Sequence, residues 1–382
     1  TEDNWSFGYN MADPKVAALK PEELLSTHNG RREQAAVTPA QHPMTMGGAD
    51  SVGVGKSWSR ASGEPQLDEH DLPVPTYVPW LGKTVEHPEH YGIYFQERWD
   101  EALACDPEFL YINDWNEWTA GKYQPDGEGK TVSWLRRQSP FYFVDQYNAE
   151  FNRCIHPVKG GYTDNYYMQM AQNLRRYKGA RPIPRLEGYV EAKADGDFGE
   201  WDAVTTEYRD TRGDVFHRDA KGYAGLHYVD TSGRNDILTA KVAVGRRAIG
   251  FYAETADALT PSDGNNWMLL LIDADNDSST GWYGYDFVIN KKVKDGRTTT
   301  LMRYDSDSEQ WIEAAELPYR YEGNRLEVIV PRKLLGLTGD GFTFDFKWSD
   351  NAYELEDPIS LCLHGDTAPN RRFNYRCIWN RR

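Results

Sequence analysis

Phe109-Leu110-Tyr111-Ile112-Asn113-Asp114-Trp115-Asn116-Glu117-Trp118 decides how the first half of this chain is read. Phe109 to Ile112 is aromatic and aliphatic, follows Asp106-Pro107, and predicts a short buried strand. Tyr94 to Leu103, just before it, predicts a helix. Helix, short turn, buried strand and then polar residues is the order in which a parallel α/β barrel builds its active-site face. A carboxylate between two indoles suits sugar chemistry there. Trp115 and Trp118 would stack on pyranose faces, Asn116 would shape the subsite, and Glu117 would act as acid, base or nucleophile. The plainer alternative is that these are packing and turn residues, since one glutamate does not make a site. Asp114 is adjacent, but neighbouring strand residues face opposite ways, so it need not converge with Glu117. His42, before Pro43, is a candidate hydrogen-bond donor to substrate and is read equally well as a structural histidine.

A chain of 382 residues predicts two or three domains. Its 59 acidic and 43 basic side chains leave a net charge of -16, which argues against nucleic acid or an anionic membrane as partner. The aromatic load is high for so acidic a chain, with 13 Trp and 24 Tyr, and both cores and sugar-binding faces use aromatics. No apolar run is long enough to predict a membrane span, and no signal-peptide pattern opens the chain at Thr1. Cys105, Cys154, Cys362 and Cys377 have no metal-ligand spacing. Cys362 and Cys377 are a candidate disulfide, whereas Cys105, near a helix end, reads as a buried thiol.

The texture changes at Gly179-Ala180-Arg181-Pro182-Ile183-Pro184-Arg185-Leu186, where two prolines predict a linker over 181–186. Before it, helix and strand signals alternate. A helix starts at Pro21, strands are expected near Trp5 to Tyr9, Gln34 to Thr38 and Phe109 to Asn113, and an amphipathic helix is expected within Tyr166 to Tyr177. Residues 43–90 have little periodicity and read as a long loop, functional or mobile. After residue 186, strand-like runs recur: Ile237 to Val244, Ala248 to Glu254, Trp267 to Ile272, Tyr285 to Asn290, Thr298 to Tyr304, Arg325 to Val330, Phe342 to Trp348 and Arg372 to Trp379. Many short strands with little helix predict an antiparallel β-sandwich over 187–382. In it, Asp273, Asp275 and Asp277 alternate after a strand, a spacing of hard oxygen ligands suited to Ca2+. An Asx-rich turn is the competing reading. Trp267, Trp282, Tyr283 and Tyr285 are candidate sugar-stacking rings, with Trp267 and Trp282 preferred. No organic cofactor is expected.

Asn116-Glu117-Trp118 at a strand end resembles the Asn-Glu-Trp motif of glycoside hydrolase families 71 and 99 and of WbsX-like glycan-processing proteins. Ala40-Gln41-His42-Pro43, Tyr94-Phe95-Gln96-Glu97-Arg98-Trp99 and Lys159-Gly160-Gly161-Tyr162 extend the likeness to large secreted bacterial proteins. Family 99 has a second catalytic carboxylate three residues after the first, where this chain has Ala120, so its mechanism does not carry over intact. The resemblance implies that residues 1–180 are the C-terminal part of a (β/α)8-barrel. About three strand signals precede residue 180, against the eight a barrel needs. The other half is therefore expected in a separate chain after cleavage, or is absent. Ala194-Asp195-Gly196-Asp197-Phe198-Gly199-Glu200-Trp201, and Leu271 to Trp282 followed by Tyr285-Asp286-Phe287, resemble family 9 carbohydrate-binding modules and related DOMON-like sandwiches. Together the two likenesses imply a secreted, periplasmic or cell-surface glycoside hydrolase with Glu117 as a catalytic carboxylate. The alternative is a non-catalytic glycan-binding protein with a degenerate barrel.

Overall fold

A computed structural model describes residues 4–6, 8–9, 11, 13–40, 55–59, 68, 72–113, 122–123, 131–132, 137–138, 142–143, 149–215, 217–262, 266–352, 355 and 357–381. The chain divides into two compact units, Thr1–Ala180 and Arg181–Arg382.

In the first unit, strands β1 (Ser26–His28), β2 (Arg31–Val37) and β3 (Phe109–Ile112) form one sheet in the order β1-β2-β3. β1 and β2 are a hairpin, turned at Asn29-Gly30 with both residues at positive φ. β2 and β3 run parallel, with Gln34 opposite Phe109 and Val37 opposite Ile112. Helix α1 (Ile93–Cys105) packs on β2 and leads into β3, as parallel strands require a crossover. Helix α2 (Asn165–Lys178) lays Tyr166 on Phe95 of α1, with ring centroids 5.9 Å apart. Trp99, Phe95, Tyr166, Ile155 and Val37 centre this core.

Several expectations change here. Among the described residues, the largest sheet of this unit has three strands, so the partial barrel is not seen. What stands is one parallel pair with a helix against it. β3 is not buried: Phe109 is exposed and stacks on Trp5 at 4.9 Å. The described residues between Trp5 and Tyr9 form no strand.

The main sheet of the second unit is built of β4 (Arg185–Glu187), β5 (Tyr208–Arg209), β6 (Ile237–Val244), β7 (Ala248–Thr255), β8 (Leu269–Asp273), β9 (Phe287–Val293), β10 (Thr298–Asp305), β11 (Gln310–Glu322), β12 (Arg325–Pro331), β13 (Gly341–Asp350), β14 (Asp366–Ala368) and β15 (Tyr375–Asn380). They pair in the order β4-β15-β13-β8-β9-β10-β11-β12-β7-β6-β5, with β14 also on β13. β4 pairs parallel to β15, so Arg185 and Leu186, expected in a linker, belong to the sheet.

β11 turns this curled sheet into two layers. Its first part pairs with β10 and its last part, Tyr319 to Glu322, with β12. The layers then face each other across one core. Phe251 of β7 meets Phe344 and Phe346 of β13 at 5.8 Å each, and Tyr208 meets Phe346 edge-on at 5.0 Å. Alternation along β13 puts Phe344, Phe346 and Trp348 into that core, and Asp345 and Lys347 on the other face. β8 is apolar on both faces. Leu270 and Ile272 point to the main core, while Leu269 and Leu271 pack with Trp282, Tyr285 and Leu361 on the outside. The cysteines are all free and buried, so the Cys362–Cys377 disulfide is not formed.

Candidate functional site

His42, Asp114, Trp115, Asn116, Glu117 and Trp118 lie outside the described residues. The structure does describe the approach to them. The Asn113 backbone N–H donates to the Val37 carbonyl at 2.8 Å, so the motif begins where the parallel pair ends.

The hairpin between β8 and β9 gathers the other candidates. Asp273 closes β8, and the register that sets Ile272 opposite Phe287 brings Asp286 beside it. Carboxylate oxygens of Asp273, Asp275 and Asp286 lie within 4.8 Å of one another. Burial pushes the Asp273 carboxyl up to about 7, and Asp345, Asp286 and Asp275 push the same way. Burial also raises Asp286, with Asp275 adding to it. Asp273 accepts from the Asn276 N–H at 2.7 Å, and Asp286 from the Ala274 N–H at 2.8 Å. Asp277, expected in this group, is replaced by Asp286. Its Oδ1 accepts from the Ser279 N–H and hydroxyl at 2.9 and 2.6 Å. Oxygen-only, anionic donors pressed together at a strand end fit a hard divalent cation such as Ca2+.

The preferred stacking rings are not available. Trp267 is 1% exposed and Trp282 is 5% exposed. Trp267 donates its indole N–H to the Thr260 carbonyl at 2.8 Å within the core. The hairpin instead presents Tyr283. Trp282 and Tyr285 exchange backbone hydrogen bonds of 2.8 and 3.0 Å, which leaves Tyr283 and Gly284 as a two-residue turn with φ of 50° and 97°. Such a turn favours Asn, Asp or Gly at its first position. Here it carries a tyrosine that is 44% exposed. Gly281 makes the turn possible, since a Cβ there would sit 2.3 Å from the Tyr285 carbonyl oxygen. The Tyr283 ring meets Trp282 edge-on at 5.5 Å, and the Arg372 guanidinium lies over it at 5.3 Å. Beneath Tyr283, buried Trp282 packs on half-buried Trp311 at 6.3 Å, and Trp311 on Tyr304 at 5.1 Å. The turn rests on the acidic group, for a Cβ added to Gly284 would lie 3.9 Å from Asp273 Oδ2.

Two other polar groups escape a reading of the sequence. In the second unit, Asp210, Asp214 and Asp366 converge, and burial raises Asp210 to about 6 and Asp366 to about 7. Lys347 supplies a cation near them; burial lowers it to about 7 while Asp210 and Asp366 raise it, and its ammonium donates to the Pro369 carbonyl. In the first unit, buried Lys56, Glu150 and Glu89 are drawn together, with half-buried His90 beside them. Burial lowers Lys56 to about 7 and raises Glu150 to about 8, and the Ser57 hydroxyl donates to Glu150 at 2.7 Å. Burial, with His87 and Lys56 nearby, holds His90 down at about 4. Lys56, Glu89 and His90 fall within 43–90, where no periodicity marks them, and Glu150 is far along the chain. Asp286 was findable by counting the register across the hairpin from Asp273.

No family model matches the chain, and no curated protein does. Among solved structures, a family 9 carbohydrate-binding module from Caldicellulosiruptor kristjanssonii, in complex with cellotriose, is similar over 52% of this chain and 95% of its own, at 11% identity and a TM-score of 0.26. At that score the fold rests on the strand pairing itself.

Proposed function

We propose that residues 181–382 are a glycan-binding sandwich. Its ligand lies on the aromatic surface at Tyr283, and Ca2+ held by Asp273, Asp275 and Asp286 braces the turn beneath. One observation carries this reading: a bulky aromatic occupies a left-handed turn position and stays exposed. Non-glycine residues at positive φ are uncommon, and such strain collects at functional sites. An exposed ring offers a face to the C–H groups of a pyranose, and Arg372 beside it offers planar donors to hydroxyls. Affinity electrophoresis through gels cast with soluble β-glucans, mannans and galactans tests it. The chain is retarded by at least one of them, and Tyr283→Ala runs faster in that gel. Equal mobility in every gel would end the proposal.

A second reading has its own support. The parallel β2–β3 pair delivers Asn113 to the position from which Glu117 would follow on a barrel's active face. In that reading Glu117 is a catalytic carboxylate, and a partner carboxylate completes the pair that hydrolysis requires. In that reading the remaining barrel strands are supplied by a separate chain. Both readings place the protein where polysaccharides are met, outside the cell or in the periplasm. Reducing-sugar release by the purified protein, lost in Glu117→Gln, is the outcome this reading requires.

A further inference from the structure

His87-Pro88-Glu89-His90 forms a short turn ahead of α1, with Pro88–His90 as a single 3-10 turn. Glu89 is 5% exposed, whereas the His87 side chain is 67% exposed. Glu89 Oε1 lies 3.3 Å from His87 Nδ1 and 3.6 Å from His90 Nε2. The two imidazoles stack at 5.1 Å, and the three donor atoms are all within 4.8 Å of one another. Zinc bonds of about 2.0–2.2 Å in tetrahedral geometry put neighbouring ligand atoms roughly 3.3–3.6 Å apart. Two of the three separations already have that value, and the third closes by rotating exposed His87.

A second observation points to a cation. Glu89 Oε2 is buried and has no hydrogen-bond partner. His87 hydrogen-bonds to Oε1 and His90 approaches the same oxygen, so Oε2 is left without a partner, a costly state for a buried carboxylate. Lys56 does not relieve it. The Lys56 ammonium is fully buried on the rings of Tyr162 and Tyr166, 4.0 and 3.7 Å from their centroids, with no hydrogen-bond partner of its own.

The backbone of the turn is held in place from α2. The Tyr166 hydroxyl donates to the Glu89 carbonyl at 2.5 Å and the Asn165 amide to the His90 carbonyl at 3.3 Å. Gly92 permits that approach, because a Cβ there would come within 2.3 Å of Gln169 Oε1. Two imidazole nitrogens and one carboxylate oxygen suit zinc better than Mg2+ or Ca2+, which prefer oxygen-rich sets. We propose that His87, Glu89 and His90 are a three-ligand zinc site with its fourth position open to water.

The test is zinc titration of the full chain, stripped by chelator, in competition with a chromophoric chelator. Cobalt absorption serves as a second readout. The wild-type chain takes up one equivalent and gives the intense visible bands of tetrahedral cobalt. His87→Ala, at an exposed position where folding is not at risk, binds at least about tenfold more weakly and loses the bands, and Glu89→Gln does the same. No zinc uptake by the wild type would mean a hydrogen-bonded cluster only. Equal uptake by the wild type and His87→Ala would place the zinc elsewhere. Either result overturns the assignment.

Discussion

Tyr283 and Trp267 show how differently two aromatics can serve one sandwich. Tyr283 is exposed on a strained turn, whereas Trp267 is sealed in the core and edge-packed on Tyr321 at 5.2 Å. Tyr283→Ala should cost about 0.5–1.5 kcal/mol of ligand binding, roughly two- to tenfold in Kd, with Tm unchanged. Calorimetry with the retained glycan and a thermal melt check the two halves of that statement. Trp267→Ala should cost about 3–5 kcal/mol of stability, since it empties a large buried volume; denaturant unfolding measures it. The sequence contains both residues beside apolar strands, and size alone favours the tryptophan as a platform. Which ring faces water depends on the phase of the hairpin turn, and that phase is not visible in hydrophobicity.

At the scale of elements, the strands with strong apolar content were legible. Ile237 to Val244 and the alternating Phe342 to Trp348 run read as strands and are strands. β11 was missed because Gln310 to Glu322 alternates charged with modest apolar residues and includes Pro318. It is the strand that joins the layers, so its polar faces reflect its position. In the acidic hairpin, carboxylate oxygens of Asp273 and Asp275 lie within 4.8 Å of each other. Asp286 entered only through cross-strand pairing, a long-range contact that spacing along the chain does not encode. Exchange of Asp273 for Asn should remove the rise in Tm that Ca2+ produces, whereas Asp277→Asn should leave most of it; differential scanning calorimetry with Ca2+ and with chelator distinguishes them. The pH dependence has a definite sign. Asp273 is raised from its ordinary 3.8 to about 7, so its contribution to stability is fully present below pH 3.8 and is lost as pH rises through 7. Without Ca2+, stability therefore falls between about pH 4 and pH 7. The Tm increase from added Ca2+ should grow over the same window, because the ion binds the ionised form.

At the scale of the whole molecule, the chain holds two units with different physics. The second closes a core between two layers. The first has a parallel pair and, as its two longest helices, α1 and α2 among its described residues, together with buried charge at Lys56 and Glu150. The α/β character before residue 180 was legible from the order helix, turn, strand, and the β character after it from recurring short runs. The partial barrel expected from the resemblance is not seen among the described residues, whose largest sheet before residue 180 has three strands. In the proposed function, the sandwich binds glycan through the turn at Tyr283. Isothermal titration of the full chain with the polysaccharide that retards it, in Ca2+ and then in chelator, tests this most directly. Saturable binding that weakens in Tyr283→Ala and also on removing Ca2+ is expected. Binding unchanged by both would contradict it.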